Sequence, residues 1–371
     1  MTVPVRRAIG LMSGTSLDGI DAALIETDGA HVVHARAFQC TPWSNEARVM
    51  LQAATREALT LDRPHATPTI AHAAALVDRA HVAAVVALLH ECGLGAEAID
   101  VVGYHGQTVA HRPDRGWTWQ LGDGRALAYA LGITTVGDFR AADVAAGGQG
   151  APLLPVYHRA LVANLPKPVV VLNLGGIANL TWIGEEPDDL IAFDTGPANA
   201  LIDDWVAASS GMRFDVDGAL AGSGRVDDAV LTAMLDHPFF DTVPPKSLDR
   251  ADFTIQPARG LSAADGAATL TAFSAQSVAQ ALRLLPEPPR RLIVAGGGRH
   301  NATLMAMLSA RCGIAAEPIE VLGANGDATE AEGFAYMAVR TLSGEPISFP
   351  GTTGVARACG GRISTVDRSP R

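Results

Sequence analysis

The sequence contains little of several residue types, and each shortage excludes a class of function. Only two of its 371 residues are lysine, Lys167 and Lys246, and neither follows a glycine-rich segment. A Walker-type phosphate loop ends in Gly-Lys-Ser/Thr, so any phosphate binding here has to use backbone N–H groups, hydroxyls, arginine or a metal. The formal net charge of −11 argues against a nucleic-acid-binding surface, which requires a basic patch.

The sequence also lacks the signals of secretion and membrane insertion. It has four cysteines and no Cys-x-x-Cys pair, which is typical of a reduced cytoplasmic protein. Strand-like residues and a glycine turn lie where the apolar region of a signal peptide would be. The most apolar helix candidate, residues 71–89, is interrupted by Asp78, Arg79 and His81, so we expect no membrane span.

A pattern of strands and glycine turns occurs twice along the chain. Residues 8–12 and 20–27 are apolar strand candidates on either side of a glycine turn, and residues 169–174 and 177–183 repeat that arrangement. We interpret this recurrence as a structural duplication. The predicted fold class is α/β, with two mixed-sheet halves that face each other across a central cleft.

The length of 371 residues suits two domains. A glycine-rich crossing at residues 145–152 indicates the boundary between them. We therefore expect domain I to comprise residues 1–145 with a C-terminal tail from about 343 to 371, and domain II to comprise residues 146–342.

The segment at residues 10–21 is the most informative part of the chain. Gly14 leaves backbone N–H groups sterically open and two hydroxyl side chains follow it, and such groups bind phosphate oxygens without a cationic side chain. Asp18 and Asp21 add carboxylates that suit Mg²⁺, directly or through water. An ordinary hairpin with Asp18 and Gly19 at its turn is the alternative. The predicted phosphate-binding residues are Gly14, Thr15, Ser16, Leu17, Asp18, Gly19, Ile20 and Asp21.

Three segments of the second half carry candidate site residues. Asp194 follows a buried strand and precedes a helix, a position at which α/β folds place their chemistry, and a carboxylate with restricted solvent access can act there as a general base. A helix N-cap is the alternative for Asp194, and ordinary tight turns are the alternative for two glycine segments. These glycines are Gly175, Gly176, Gly296, Gly297 and Gly298.

Polar residues also follow two strands of the first half. The spacing of His105 and His111 suits neither one helix face nor a common zinc motif, so we favour a polar contact with a hydroxylated substrate over metal binding. Arg140 and Asp143 lie just past another strand and are candidates for the same contact. A structural ion pair is the alternative for Arg140.

Taken together, these motifs resemble the anhydro-N-acetylmuramic acid kinase family over nearly the whole chain. Residues 10–21 and 193–197 are the segments most specific to that family. Because the family belongs to the actin-like ATPase superfamily of sugar and acetate kinases, the resemblance implies two domains that close on ATP and a 1,6-anhydro sugar. The other matching segments are residues 105–108, 120–122, 138–140 with Asp143, 147–152, 173–180, 193–199 and 296–301.

The resemblance also implies an activity and roles for matching residues. Water attacks the anomeric carbon and opens the anhydro bridge, and the released O6 takes the γ-phosphoryl group, which yields N-acetylmuramic acid 6-phosphate in cell-wall recycling. By this match Asp194 is the catalytic base, Mg²⁺ lies at Asp18 or Asp21, and Asn301 joins the nucleotide-binding glycines. A cytoplasmic homodimer is implied. The implied sugar-side residues are His105, Gln107, Thr108, Arg140, Asp143 and Glu330.

The chain departs from the family pattern at a few positions. Ala198 stands where glycine is usual, residues 245–250 vary, and a second acid, Glu332, lies close to Glu330. A related kinase acting on another sugar or a carboxylate is a competing interpretation. A catalytically inactive binding protein of the same fold is another, which the retention of Asp194 and both glycine turns disfavours.

Overall fold

The computed structural model describes residues 4–248, 252–355 and 360–366. Segments in which polar and apolar residues alternate, and segments that are wholly apolar, form its strands. The strands are β1 (Arg6–Ser13), β2 (Gly19–Thr27), β3 (Val33–Pro42), β4 (Val101–Arg112), β5 (Trp117–Leu121), β6 (Thr135–Gly137), β7 (Val169–Leu174), β8 (Ile177–Ile183), β9 (Leu190–Pro197), β10 (Arg291–Ala295), β11 (Ala316–Pro318) and β12 (Arg362–Ser364). The helices are α1 (Asn45–Ala58), α2 (Pro68–Cys92), α3 (Gly124–Leu131), α4 (Phe139–Ala145), α5 (Pro155–Leu161), α6 (Asn199–Ser210), α7 (Ala219–Ser223), α8 (Asp228–Leu235), α9 (Pro238–Asp241), α10 (Ala263–Leu282), α11 (Ala302–Cys312) and α12 (Thr329–Leu342).

The chain divides into two compact units. Unit 1 contains the described residues up to Ala163 and those from Ala328 onward, and unit 2 contains Asn164–Asp327. The predicted domains differ from these units in two segments, because residues 146–163 and 328–342 belong to unit 1.

The two sheets share one strand order, which confirms the predicted α/β duplication. In unit 1 the order is β12-β6-β4-β1-β2-β3 with β5 beside β4, and in unit 2 it is β11-β10-β7-β8-β9. In each sheet an antiparallel three-stranded meander is extended by parallel strands, β4 and β6 in unit 1 and β10 and β11 in unit 2. The two glycine turns therefore occupy equivalent positions, between β1 and β2 and between β7 and β8.

Two glycines bring α12 into direct contact with the sheet of unit 1. A Cβ atom on Gly10 of β1 would overlap the carbonyl oxygen of Ala331, and one on Gly103 of β4 would overlap that of Phe334. Phe334 is fully buried. This close approach explains why α12 belongs to unit 1, and it places the first two turns of α12 directly against β1 and β4.

Among the described residues, one helix, α2, is long and apolar enough to cross a membrane by length and composition, and 39% of its most apolar 18-residue stretch is buried in the fold. Its buried side chains recur at helical spacing, as Ile70, Ala73, Val77 and Leu88 show, and they join the core of unit 1. A helix that packs one face into the core of a protein can have the same length and apolar composition, so this finding is weak evidence for a membrane span.

Two strands extend beyond their predicted ends. The sequence places the end of a strand at His105, but β4 continues to Arg112, because residues 107–112 pair with β5 in a hairpin. Likewise β9 runs on to Pro197, so Asp194 lies within a strand rather than after it. The tail, assigned to domain I from the sequence, contains β12, which pairs with β6.

Gly10→Ala tests whether the glycine contact holds α12 on the sheet. The added methyl group has to displace helix backbone, and overpacking of this kind costs about 3 kcal/mol or more of unfolding free energy. Gly124→Ala is the matched control, because a Cβ there meets its nearest atom, Thr135 Cγ2, at 3.7 Å. Urea unfolding of both variants gives the comparison, and equal stabilities would contradict the packing argument.

Candidate functional site

Three carbonyl oxygens of the turn between β1 and β2 accept hydrogen bonds from donors of the protein. Gly14 O accepts hydrogen bonds from Leu17 N–H and Gln107 Nε2, both at 3.2 Å. Leu17 O accepts one from Arg48 Nε at 3.0 Å, and Asp18 O accepts one from the backbone N–H of Trp43 at 3.2 Å. These three carbonyl oxygens, which are the negative ends of their peptide dipoles, therefore point inward.

The N–H groups of the same turn have the opposite orientation. Thr15 and Ser16 are exposed, and their backbone N–H groups have no hydrogen-bond partner in the described part of the chain. Consecutive unpaired N–H groups form a concavity that binds anions. The turn thus has the backbone polarity that phosphate requires, although no lysine is present.

The turn between β7 and β8 repeats this arrangement in unit 2. Ala198 N–H donates to Gly176 O at 2.9 Å, and Asn199 Nδ2 lies 2.9 Å from both Leu174 O and Gly175 O. Within residues 4–248, 252–355 and 360–366, the N–H groups of Gly175 and Gly176 have no backbone or side-chain acceptor. The start of α6 therefore holds the carbonyls of this turn and leaves its N–H groups for a ligand.

The glycine turn after β10 packs against the same hairpin. Gly296 has φ 79°, and a Cβ there would overlap Asn173 Oδ1 and lie 2.7 Å from Leu174 O. A Cβ on Gly298 would lie 2.6 Å from Leu174 Cβ. Only glycine permits this approach at either position, so the structure brings the predicted nucleotide-binding turn and the second phosphate turn together.

Two further residues shape the turn after β10. Arg299 is buried; its Nη1 donates to Gly296 O at 3.0 Å, and its other nitrogens bind Glu320 and Asp327 at 2.8 and 2.9 Å. Asn301, predicted to bind nucleotide, caps α11 with its side-chain oxygen, which accepts from Leu304 N–H at 2.8 Å. Its assignment to nucleotide binding stays a prediction.

Asp194 lies on β9 opposite Asn179. Backbone groups of Lys246 and Leu248 hold it in place. Leu248 N–H donates to Asp194 Oδ2 at 2.8 Å, and Asp194 N–H donates to Lys246 O at 3.1 Å. Lys246 Nζ is directed elsewhere, to Phe239 O at 3.1 Å. Burial raises the pKa of the Asp194 carboxyl to about 6, although the bond from Leu248 lowers it. Such a carboxylate can accept a proton near neutral pH.

Arg140 is the centre of a polar cluster in unit 1. Its Nε donates to His105 Nε2 at 2.9 Å and its Nη1 donates to Gly150 O at 2.9 Å. His105 is buried, and its Nδ1 lies 2.8 Å from Gly106 O. Burial and the neighbouring guanidinium lower the pKa of His105 well below its usual value. His105 is therefore a neutral ring that accepts from Arg140 and holds its orientation.

Three other residues predicted on the sugar side also bind protein groups. Asp143 is fully buried and accepts hydrogen bonds from Gly150 N–H at 2.7 Å and Thr353 Oγ1 at 2.8 Å. Gln107 is buried, and its Oε1 accepts from Ser13 Oγ at 2.6 Å. Thr108 Oγ1 accepts from Gln120 Nε2 at 3.2 Å. Direct contact of these residues with a sugar stays a prediction, whereas their structural roles are evident.

The two acids of α12 have different surroundings. Glu330 is half-buried, and burial raises its pKa, with Arg140 lowering it and Asp21 raising it further. Glu332 is buried and accepts a hydrogen bond from Tyr157 Oη at 2.5 Å. Glu330, rather than Glu332, therefore lies within electrostatic reach of Arg140 and Asp21, and its place at the sugar side stays a prediction.

The carboxylates predicted to bind Mg²⁺ have suitable chemistry. Asp18 is exposed and Asp21 is half-buried. In the part of the chain that the structure describes, no group of three histidine, cysteine, aspartate or glutamate side chains is placed to hold a metal ion. Mg²⁺ needs no such group, since one or two carboxylates with substrate phosphates and water complete its coordination. The donor set at Asp18 and Asp21 thus fits this ion.

Sequence motifs did not reveal the residues that hold the turns. Arg48, Trp43 and Arg299 contribute side chains or N–H groups to turn carbonyls, but Arg48 and Trp43 lie about thirty positions from the turn they bind. No local pattern marks such long-range partners. Asn199 was detectable, because it ends the segment 193–199 that also contains Asp194.

Comparison with known proteins relates the whole chain to one family. Residues 6–363 match the family described as anhydro-N-acetylmuramic acid kinase. The chain is 66% identical over 357 residues to a protein of that name from Rhizorhabdus wittichii, covering 96% of this chain and 98% of the relative. It is 55% identical over 360 residues to one from Zymomonas mobilis, covering 96% and 99%.

Similarity to solved structures is low. Component A of (R)-2-hydroxyglutaryl-CoA dehydratase from Acidaminococcus fermentans has a TM-score of 0.49 at 12% identity, covering 91% of this chain and 99% of that chain. A ROK family glucokinase from Streptomyces griseus has a TM-score of 0.39 at 15% identity, covering 90% and 99%. Similarity at this level supports no conclusion about the present chain.

Asp194→Asn is expected to stabilise the protein in a pH-dependent way. The folded-state pKa of Asp194 is raised to about 6 from 3.8, so the wild type loses unfolding free energy as the pH rises from 3.8 through about 6 and the carboxyl becomes charged. Removing the charge should increase the unfolding free energy at about pH 8 by on the order of 1–3 kcal/mol. The gain should shrink as the pH falls from about 6 toward 3.8 and should vanish below that value, where both states of the wild type are protonated.

Thermal unfolding midpoints across this pH range measure the effect. Asp204→Asn is the control, because Asp204 is an exposed aspartate on α6 in the same unit. A lower midpoint for Asp194→Asn at high pH, or an equal gain at all pH values, would contradict the argument that burial raises this pKa.

Proposed function

The chain belongs to the anhydro-N-acetylmuramic acid kinase family, and we propose that it uses ATP and water to convert 1,6-anhydro-N-acetylmuramic acid to N-acetylmuramic acid 6-phosphate in cell-wall recycling. The observation that carries the proposed mechanism is the half-buried Asp194 carboxyl, whose pKa is raised to about 6. This group is mostly deprotonated at neutral pH and remains basic enough to assist proton removal from water.

Asp194 acts as the general base in this proposal. It accepts a proton from water while the water oxygen bonds to the anomeric carbon, and the bond from that carbon to O6 breaks. O6 then bonds to the γ-phosphorus and ADP leaves. The water oxygen becomes the anomeric hydroxyl and the phosphoryl group resides on O6. The bond from Leu248 N–H to Oδ2 holds the carboxylate in one orientation during proton transfer.

The two glycine turns bind phosphate oxygens through backbone N–H groups. Thr15 and Ser16 supply them in unit 1, and Gly175 and Gly176 supply them in unit 2. The proposal is supported by the carbonyl oxygens of both turns, which are bound by protein donors and so are directed away from a ligand. Phosphoryl transfer depends on such positioning and charge stabilisation rather than on a protein nucleophile.

Asp18 and Asp21 would hold Mg²⁺, since their carboxylate oxygens are the ligands this ion prefers. When bound, the ion offsets the negative charge of the ATP phosphates. Gly296, Gly297 and Gly298 would lie against the nucleotide, because their lack of side chains leaves the backbone open to close approach.

Arg140 and Glu330 would contact polar groups of the sugar. His105 keeps Arg140 in place, and Asp143 holds the glycine segment to which Arg140 also donates a hydrogen bond. We further propose that the protein is a homodimer, which rests on the family resemblance. We also propose that it is cytoplasmic, which rests on the same resemblance and on the location of ATP and other small phosphorylated metabolites in the cytoplasm.

A coupled ADP-release assay tests the proposed reaction. We expect turnover with 1,6-anhydro-N-acetylmuramic acid and little with ordinary hexoses, since these have no anhydro bridge to open. In ¹⁸O-water the label should enter the anomeric hydroxyl of the product. Mass spectrometry would show this if the reaction is quenched before the anomeric oxygen exchanges with solvent through the open-chain aldehyde. Activity restricted to reducing sugars, or an unlabelled product, would exclude the proposed function.

The pH dependence of the rate tests the role of Asp194. Because the base has to be deprotonated, kcat/KM should fall tenfold per pH unit below about 6, the pKa of this carboxyl. Asp194→Asn should lose turnover by about 10³-fold or more while still binding ATP, and Asp204→Asn should retain both. Near wild-type turnover in Asp194→Asn would show that another group is the base.

A further inference from the structure

We propose that Arg48 and Trp43, where β3 meets α1, are positioning residues for the turn at residues 14–18. They hold its carbonyl oxygens inward so that its N–H groups remain available to phosphate. The inference rests on the proposed phosphate-binding function of this turn, and it assigns roles to two side chains outside every motif of the sequence.

Arg48 binds two consecutive carbonyl groups at the end of the turn. Its Nε donates to Leu17 O at 3.0 Å and its Nη2 donates to Asp18 O at 3.4 Å. The side chain is half-buried in the first turn of α1. A guanidinium is a rigid planar fork, so it can satisfy two acceptors at once in a fixed geometry. An ammonium group on a flexible stem lacks that geometry.

Trp43 holds both ends of the turn. Its backbone N–H donates to Asp18 O at 3.2 Å, and its indole Nε1 donates to Ser13 Oγ at 3.1 Å. Ser13 Oγ donates to Gln107 Oε1 at 2.6 Å, and Gln107 Nε2 donates to Gly14 O at 3.2 Å. Trp43 is 6% exposed, so this chain of hydrogen bonds is shielded from water along most of its length.

The conformation of the turn explains why it needs such partners. Leu17 has φ 58°, a left-handed conformation that residues with a Cβ rarely adopt. Rotation of the peptide plane after Leu17 or after Asp18 would point the carbonyl of that plane toward the ligand, which replaces attraction for phosphate by repulsion. Either rotation also breaks the bonds that Arg48 or Trp43 donates to the carbonyl concerned, so these residues oppose it.

The alternative is that Arg48 attracts phosphate through its charge alone. Two substitutions separate the possibilities, because Arg48→Gln removes both the charge and the fork, whereas Arg48→Lys keeps the charge. Arg56→Gln is the matched control, since Arg56 is an exposed arginine in the last turn of the same helix.

Titration calorimetry with ATP and Mg²⁺, and separately with adenosine, is the measurement. Arg48→Gln should weaken ATP binding about 10-fold or more, the loss typical for hydrogen bonds to a charged group, and change adenosine binding less than about twofold. Arg48→Lys should resemble Arg48→Gln, and Arg56→Gln should resemble the wild type. Full ATP affinity in Arg48→Lys, or equal losses for ATP and adenosine, would overturn the proposal.

A second pair of variants tests the indole bond of Trp43. Trp43→Phe keeps an aromatic ring and removes the donor to Ser13, whereas Trp117→Phe removes an indole N–H that has no partner among the residues described. We expect about 3- to 10-fold weaker ATP binding in Trp43→Phe, as for a lost hydrogen bond of about 1 kcal/mol, with adenosine binding retained. Equal ATP affinities in Trp43→Phe and Trp117→Phe would contradict a role for this bond.

These results separate the inference from the proposed function. If the wild type binds ATP but does not phosphorylate the anhydro sugar, the proposed function fails, and the difference between ATP and adenosine still tests the turn. If the wild type is active on the sugar and Arg48→Gln keeps its ATP affinity, the inference alone fails. A wild type that does not bind ATP would refute both.

Discussion

The hydrogen bonding of turn carbonyl oxygens is the interaction on which the proposed chemistry depends. In each unit a glycine-containing turn has its carbonyls bound by protein donors, from Arg48, Trp43 and Gln107 in one case and from Asn199 and the start of α6 in the other. The N–H groups of the turns are thereby oriented for an anion. In the proposed site, backbone dipoles whose direction is set by partners elsewhere in the sequence would take the place of the lysine of a P-loop.

The base of the proposed reaction has a cost for stability. Asp194 lies within β9, directly after the buried residues Ala192 and Phe193. Burial raises the pKa of the Asp194 carboxyl to about 6. The same desolvation that makes the carboxylate a better base makes its charged form less favourable in the folded state. The bond from Leu248 offsets part of this cost and orients the carboxylate. Function and stability therefore oppose each other at this residue.

Local signals in the sequence predicted most of the framework. Strands β1, β2, β7 and β8 and the helix α2 were predicted because glycine turns, alternation and helical spacing depend only on residues close together in the sequence. The extension of β4 beyond His105 was missed, because it depends on pairing with β5. Arg48 and Trp43 were missed because they bind a turn that lies far from them in the sequence. Arg299 was missed because no sequence motif marks an arginine that binds the carbonyl of its own turn. His105 and Asp143 were recognised as polar candidates, but their hydrogen-bond partners became apparent only from the fold.

The orientation of the turn N–H groups is the central claim, and amide chemical shifts report on it directly. In ¹H–¹⁵N spectra of the full chain, we expect the amides of Thr15, Ser16, Gly175 and Gly176 to shift when a non-hydrolysable ATP analogue binds with Mg²⁺, and to remain in place when adenosine binds. Shifts of equal size with both ligands, or no shifts at these four amides with the ATP analogue, would contradict the account.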